Sequence, residues 1–151
     1  MIGLDEAGRG SWAGPLTVAA VWLTKDIPGL ADSKKLTAKQ RRDLAREIQQ
    51  KAEYISLAWV SNTDIDDMGL ARAVELAFKL AHSRMPLGPA IIDGNISYIP
   101  GVEAVIRADS KYACVSAASI IAKHFRDRYM INISSKYPKY QLDRHKGYGT
   151  A

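Results

Sequence analysis

Apolar and polar positions along the chain follow two rhythms. Residues 1–5 and 16–23 (LTVAAVWL) are short apolar runs of strand length, and the segment between them, EAGRGSWAGP, is glycine-rich. Two neighbouring strands joined by a tight turn are expected there. After the Pro28-Gly29 break, Leu44, Ala45, Ile48 and Ala52 recur at helical spacing, which predicts a helix from Thr37 to about Lys51 with Thr37 as its N-cap. Residues 54–60 read as a third strand. Asn62 or Thr63 is then expected to cap a short acidic turn before a helix from about Gly69 to Arg84, which Pro86, Gly88 and Pro89 end.

The run Ala90-Ile91-Ile92-Asp93-Gly94 has the pattern of a short buried strand that delivers Asp93 at its C-terminal end. Residues 102–106 predict another strand. From Lys111 to about Ser134, Ala113, Ala117, Ala118, Ile121, Phe125 and Tyr129 fall on or near one face of a long helix, and the small residues Ala117-Ala118-Ser119 suit close packing on a sheet. The tail KYPKYQLDRHKGYGT keeps neither period and is expected to be an ordered loop. Strands that come early and then alternate with helices favour an α/β architecture, a mixed central β-sheet flanked by α-helices.

Composition narrows the class. The chain has 151 residues, 47% hydrophobic and 25% charged, enough for one domain over residues 1–151 and unlike a disordered segment. A net charge of +5 and a pI of about 9.3 fit a polyanionic partner. No apolar run is long enough to span a bilayer, and the N-terminus carries charge where a secretory signal needs an apolar core, so a cytoplasmic protein with no membrane partner is expected. Cys114 is the only cysteine, which excludes an internal disulfide and a cysteine-based zinc site; its apolar neighbours predict a buried helix position.

Candidate chemistry lies in four acids at element ends. Asp5 and Glu6 stand where the first strand gives way to the glycine turn. Within a regular strand they would point to opposite faces, so the expectation is that the chain leaves the strand at Glu6 and brings both carboxylates to one side. If the strand carrying Asp93 lies beside the first, and Asp109 starts the long helix, four oxygen donors converge. That is the environment Mg²⁺ or Mn²⁺ prefers, and two such ions roughly 3.5–4 Å apart can clamp the attacking water and the leaving oxygen of a phosphodiester displacement. Taken singly, each acid has a plainer reading: Asp5 as a turn former, Asp93 as an Asp-Gly turn residue, Asp109 as a helix cap. The acidic group Asp64, Asp66 and Asp67 is read as decorating a helix N-terminus and is left out of the site. Gly8-Arg9-Gly10 lets backbone N–H groups approach a phosphate or sugar, and Ser33, Lys34 and Lys35 offer hydroxyl and ammonium donors to phosphates. His145 reads either as a proton shuttle or as a contact to phosphate or water, with the second preferred.

Taken together, DEAGRG, DSKKLT, IIDGN, ADSKYACVSAASIIAK and HKGYGT, in this order and at these separations, resemble ribonuclease HII, the type 2 ribonuclease H family. The resemblance runs from Gly3 to Thr150, and the GRG triplet separates it from the GKG-like turn of ribonuclease HIII. It implies a ribonuclease H-like fold with Asp5, Glu6, Asp93 and Asp109 as the catalytic, metal-binding carboxylates. It further implies that Gly8, Arg9 and Gly10 read the 2′-OH at a ribonucleotide–DNA junction, that Tyr148 packs on the neighbouring deoxyribose, and that Lys146 of the same motif contacts substrate. Such an enzyme would hydrolyse the RNA strand of RNA–DNA hybrids and cut 5′ of single ribonucleotides in duplex DNA, serving ribonucleotide excision repair and primer removal, and is expected to be a monomer. Two departures stand out. The turn reads GRGSWAGP where the family commonly has a Pro-Leu-like pair, and the chain stops at Thr150-Ala151 where family members usually continue into a C-terminal substrate-binding segment. The competing readings are a non-catalytic nucleic-acid-binding module and another metal nuclease of the same broad fold, such as a resolvase or a type 1 ribonuclease H.

Overall fold

The computed structural model describes residues 1–149, and of residues 31–33 the backbone alone. The elements run β1 (Ile2–Ala7), β2 (Leu16–Trp22), a 3-10 turn (Leu30–Lys35), α1 (Ala38–Lys51), β3 (Tyr54–Val60), α2 (Asn62–Met68) and α3 (Leu70–Ser83). They continue with β4 (Ala90–Asp93), β5 (Glu103–Val105), a 3-10 turn (Ala108–Ser110), α4 (Ala113–Ser134), a 3-10 turn (Pro138–Tyr140) and α5 (Leu142–His145).

Local chemistry sets several boundaries. Thr37 caps α1 in a reciprocal box: the Gln40 N–H donates to Thr37 Oγ1 at 3.2 Å and the Thr37 N–H to Gln40 Oε1 at 2.9 Å. The acidic segment expected as a turn is itself helical, and its cap is Ser61, whose hydroxyl accepts the Asp64 N–H at 3.1 Å, rather than Asn62 or Thr63. Only Asp64 of the three acids lies in the first turn of α2. Gly69, at φ +85°, separates α2 from α3, a conformation that a side chain would resist. Where a loop was expected, the tail as far as Gly149 holds two short helical turns.

The sheet has the order β3-β2-β1-β4-β5; β1 pairs antiparallel with β2 and parallel with β4, so the sheet is mixed. On one face Ile2, Leu4, Leu16, Val18 and Ile92 pack with Val74, Ala77 and Phe78 of α3. On the other, Ala19 and Val21 pack with Ala45 and Ile48 of α1 and with Ala117, Ala118 and Ile121 of α4. Alternation along the strands produces both faces. The start of α4 lies almost on β1: a Cβ at Gly3 would fall 2.2 Å from the Cys114 carbonyl carbon. Gly3 and the Ala117-Ala118 pair are therefore what let this helix cross the sheet so closely. Cys114 is buried, as expected. Among the described residues no helix is long and apolar enough to cross a membrane.

Candidate active site

The parallel pairing of β1 and β4 decides where the acids meet. Leu4 is opposite Ile92, so the next residues, Asp5 and Asp93, stand side by side at the C-terminal ends of two neighbouring strands. Both are on the α4 face, since Leu4 and Ile92 are on the α3 face. Open α/β sheets gather ligands at such strand ends. Asp5 is almost fully buried; its Oδ1 accepts the Glu6 N–H at 2.8 Å, and its carboxylate also hydrogen-bonds with Ser119 of α4. Burial, followed by the charges of Glu6 and Asp93, pushes the Asp5 carboxyl well above the usual carboxylate range.

The expectation for Glu6 is corrected. The strand does not end before it but continues to Ala7, so the chain does not leave the sheet at Glu6; its carboxylate is nonetheless near enough to Asp5 and Asp93 for their charges to act on one another. Hydrogen bonding to β2 as far as the Ala7–Thr17 pair holds the strand in the sheet there. The Glu6 carboxylate lies 3.6 Å from Arg9 Nη1; burial raises its pKa while Arg9 opposes the rise.

Asp109 is also placed differently from the expectation. It sits in the 3-10 turn ahead of α4, whose N-cap is Tyr112, so it neither starts nor caps the long helix. The turn is tied to β4 because Asp93 Oδ1 accepts the Ala108 N–H at 2.7 Å. Asp109 is 4% exposed; its Oδ2 pairs with Lys34 Nζ at 2.9 Å, and its Oδ1 is buried with no hydrogen-bond partner. The Lys34 pKa is raised, first by that bond and further by the charges of Asp109, Asp93 and Asp5. One ammonium thus pairs with Asp109 within the field of Asp93 and Asp5.

Among the described residues, no group of three or more His, Cys, Asp or Glu side chains is arranged to hold a metal ion as it stands. Glu6 is drawn to Arg9 and Asp109 to Lys34, so these two oxygens are already compensated by protein cations. The donor set nonetheless fits a hard divalent cation. It consists of carboxylates only, Asp5 is desolvated among like charges, and Asp109 Oδ1 is an orphaned acceptor.

Beside the acids, two loops are locked by a residue that sequence reasoning missed. Arg126 of α4 is fully buried. Its Nε donates to the Pro15 carbonyl at 2.8 Å, Nη1 to the Lys146 carbonyl at 2.7 Å, and Nη2 to Ser11 Oγ and the Ala13 carbonyl, both at 2.9 Å. The guanidinium lies under the Tyr148 ring, 5.1 Å from its centroid, and the Tyr148 hydroxyl accepts the Gly8 N–H at 3.2 Å. Gly8 (φ +94°) has no room for a side chain, since a Cβ would meet Arg126 Nε at 2.3 Å. Gly10, by contrast, is exposed and faces open space. One signal was available: Ala118, Ala122, Arg126 and Met130 recur every four residues, and all are buried.

The family model for ribonuclease HII matches residues 2–151. The chain belongs to the ribonuclease HII family. It is 48% identical over 148 residues to the ribonuclease HII of Campylobacter concisus, covering 98% of this chain and 80% of that protein. The ribonuclease HII of Archaeoglobus fulgidus, solved in complex with PCNA, superposes with a TM-score of 0.85 at 29% identity over 99% of this chain and 80% of its own. The ribonuclease H2 of Pyrococcus horikoshii gives 0.80 at 29% identity, with the same coverage. The chain is accordingly a ribonuclease H endonuclease, a metal-dependent hydrolase with the ribonuclease H-like α/β fold. The resolvase and type 1 ribonuclease H readings fall away.

Within this ribonuclease HII chain the remaining expected site residues divide. Arg9 is exposed at the turn, and Lys34 meets Asp109. The side chain of Ser33 and the whole of Thr150 lie outside the described residues. Lys35 is exposed. The Lys146 ammonium bonds the Asp143 carbonyl, while its own carbonyl serves Arg126. His145 is occupied structurally: Nε2 is 2.5 Å from the Tyr140 carbonyl, and Nδ1 accepts the Gly147 N–H at 3.1 Å. It is not placed to shuttle protons.

Proposed function

We propose that this chain acts as one catalytic domain that hydrolyses the RNA strand of RNA–DNA hybrids and incises duplex DNA on the 5′ side of an embedded ribonucleotide. The observation that carries the reading is the meeting of Asp5, Asp93 and Asp109 on one side of the sheet, with the Gly8-Arg9-Gly10 turn bonded to Tyr148 next to them. Asp5, Glu6, Asp93 and Asp109 would hold two Mg²⁺ or Mn²⁺ ions. Bound there, the ions would supply activation of the attacking water and charge stabilisation at the leaving oxygen, leaving 5′-phosphate products.

The chain's own residues do the rest. Asp5 holds its carboxylate at a desolvated point beside Glu6 and Asp93, where negative charge is costly without a cation. Lys34 exchanges the Asp109 carboxylate for a substrate phosphate when the cleft fills. The open backbone at Gly10 and the neighbouring peptides of Gly8 and Arg9 meet the 2′-OH, the group that distinguishes ribose from deoxyribose. Tyr148, held by Gly8 and by Arg126, offers its ring to the adjacent deoxyribose, where a 2′-OH would not fit as well. In the cell this chemistry serves ribonucleotide excision repair and primer removal by a cytoplasmic monomer.

The test is cleavage of a labelled DNA duplex carrying one ribonucleotide, with Mg²⁺ or Mn²⁺, by the native chain and by Asp93→Asn. Incision 5′ of the ribonucleotide, lowered in the variant by about 10²–10³-fold or more, is expected. Binding without cutting in either metal would overturn the reading.

A further inference from the structure

A groove of about 740 Å³ opens beside Tyr148, between α1 and α4 and under α5. It continues into a second hollow of about 550 Å³ that shares Arg42, His124 and Arg128 with it. The cations lining this path are spaced by the helices themselves. Lys39, Arg42 and Arg46 recur every three or four residues on α1, and Arg128 of α4 and Arg144 of α5 close the other side. All five are exposed, and none forms an ion pair with an acid among the described residues. The acid lining the groove, Asp127, is already shared between Arg41 and Lys123, at 3.6 and 3.5 Å.

So many cations on facing helices repel one another. The effect is visible at His124, whose pKa is lowered first by burial and then by Arg128, with Arg41 and Arg42 adding to it. A folded chain that keeps such an arrangement without acidic partners presents a track for a polyanion. The track begins at the tyrosine assigned to the deoxyribose of the junction. Its direction is that of a strand leaving the active site on the DNA side.

We propose that the α1–α4 groove binds the phosphate backbone of the duplex flank that continues past Tyr148, a subsite separate from the carboxylate centre. The inference rests on the functional reading above for its orientation. The fourteen residues of α1 rise about 21 Å, room for about six base pairs at 3.4 Å each.

The test compares the full chain with Arg42→Gln/Arg128→Gln, both surface changes, by fluorescence anisotropy in EDTA, so that no cleavage is needed. The probes are RNA–DNA junction duplexes with roughly twelve or three base pairs on the deoxyribose side and, as controls, the same truncation on the other side. The variant should bind the long-flank duplex roughly tenfold more weakly, with a salt slope flatter by about 1.8, two phosphate contacts at about 0.9 each. On the duplex shortened at the deoxyribose side, variant and native chain should coincide. An unchanged slope and affinity, or a loss that ignores which flank is shortened, would overturn the groove. Cleavage by the native chain, measured separately with metal, tells the two proposals apart: absent cleavage with flank-dependent binding removes the functional reading and leaves the groove.

Discussion

On the α3 face of the sheet, the buried set around Ile2, Leu4, Val18, Ile92 and Phe78 holds no ionisable side chain; the other face buries Asp5, Asp109 and Arg126 against the same strands. The difference teaches how one small sheet carries both a stable core and a charged cleft. Burying carboxylates beside each other is unfavourable in the folded state, so the apolar face must supply stability that the α4 face gives up. The α4 face spends nothing on long side chains where it can use Gly3, Ala117 and Ala118, and that close approach sets Ser119 against Asp5 and Arg126 beneath the two loops.

The comparison can be broken most severely from the apolar side. Phe78→Ala, at a fully buried position stacked on Tyr98, should cost about 3–5 kcal/mol in urea unfolding, while the folded fraction keeps its kcat. A comparable loss of kcat in the folded fraction would mean that the two faces are not independent.

Arg126→Met probes the opposite face. Removing the guanidinium strips the Pro15, Ala13 and Lys146 carbonyls of a donor, at about 1 kcal/mol each. It also frees the Tyr148 ring, so KM for a junction duplex should rise roughly tenfold in the folded fraction, a binding loss of about 1.4 kcal/mol. Arg126→Lys should recover little, because one ammonium cannot reproduce the fork. Stability loss with an unchanged KM would make Arg126 a structural residue only.

The smallest effect has the opposite sign. Because burial holds the Asp5 carboxyl above its unfolded value, the folded chain retains a proton that the unfolded chain has released between those two values, and stability falls as pH rises through them. Asp5→Asn should therefore melt above the native chain at pH 8 in EDTA, by roughly 2 °C or more, with the gap closing as pH is lowered toward the ordinary carboxylate range. A variant melting below the native chain at pH 8 would show that Asp5 stabilises the fold, against the contrast drawn between the faces.

Much of this was legible along the chain. The Thr37 cap, the strand over Tyr54–Val60, the strand ending at Asp93 and the long helix through Ala117 were all readable, because each is set by residues within a turn or two of one another. Glu6 and Asp109 were misread for the same reason in reverse. Whether β1 ends before or after Glu6 depends on hydrogen bonds to β2, and Asp109 sits in a 3-10 turn because Asp93, sixteen residues earlier, holds the Ala108 N–H. Arg126 was missed because an arginine on an apolar stripe reads as a surface charge until its acceptors, more than a hundred residues away at Ala13 and Pro15, are brought to it.

The sequence by itself determined the five strands, the three long helices and the family, since these depend on local spacing and on motifs in fixed order. Only the tertiary structure decided that Asp5 and Asp93 are neighbours, that Glu6 meets Arg9, and that Lys34 pairs with Asp109. Which strand lies beside β1, and in which direction, is settled by packing β4 between β1 and β5 under α4. No single segment holds the energy of that choice.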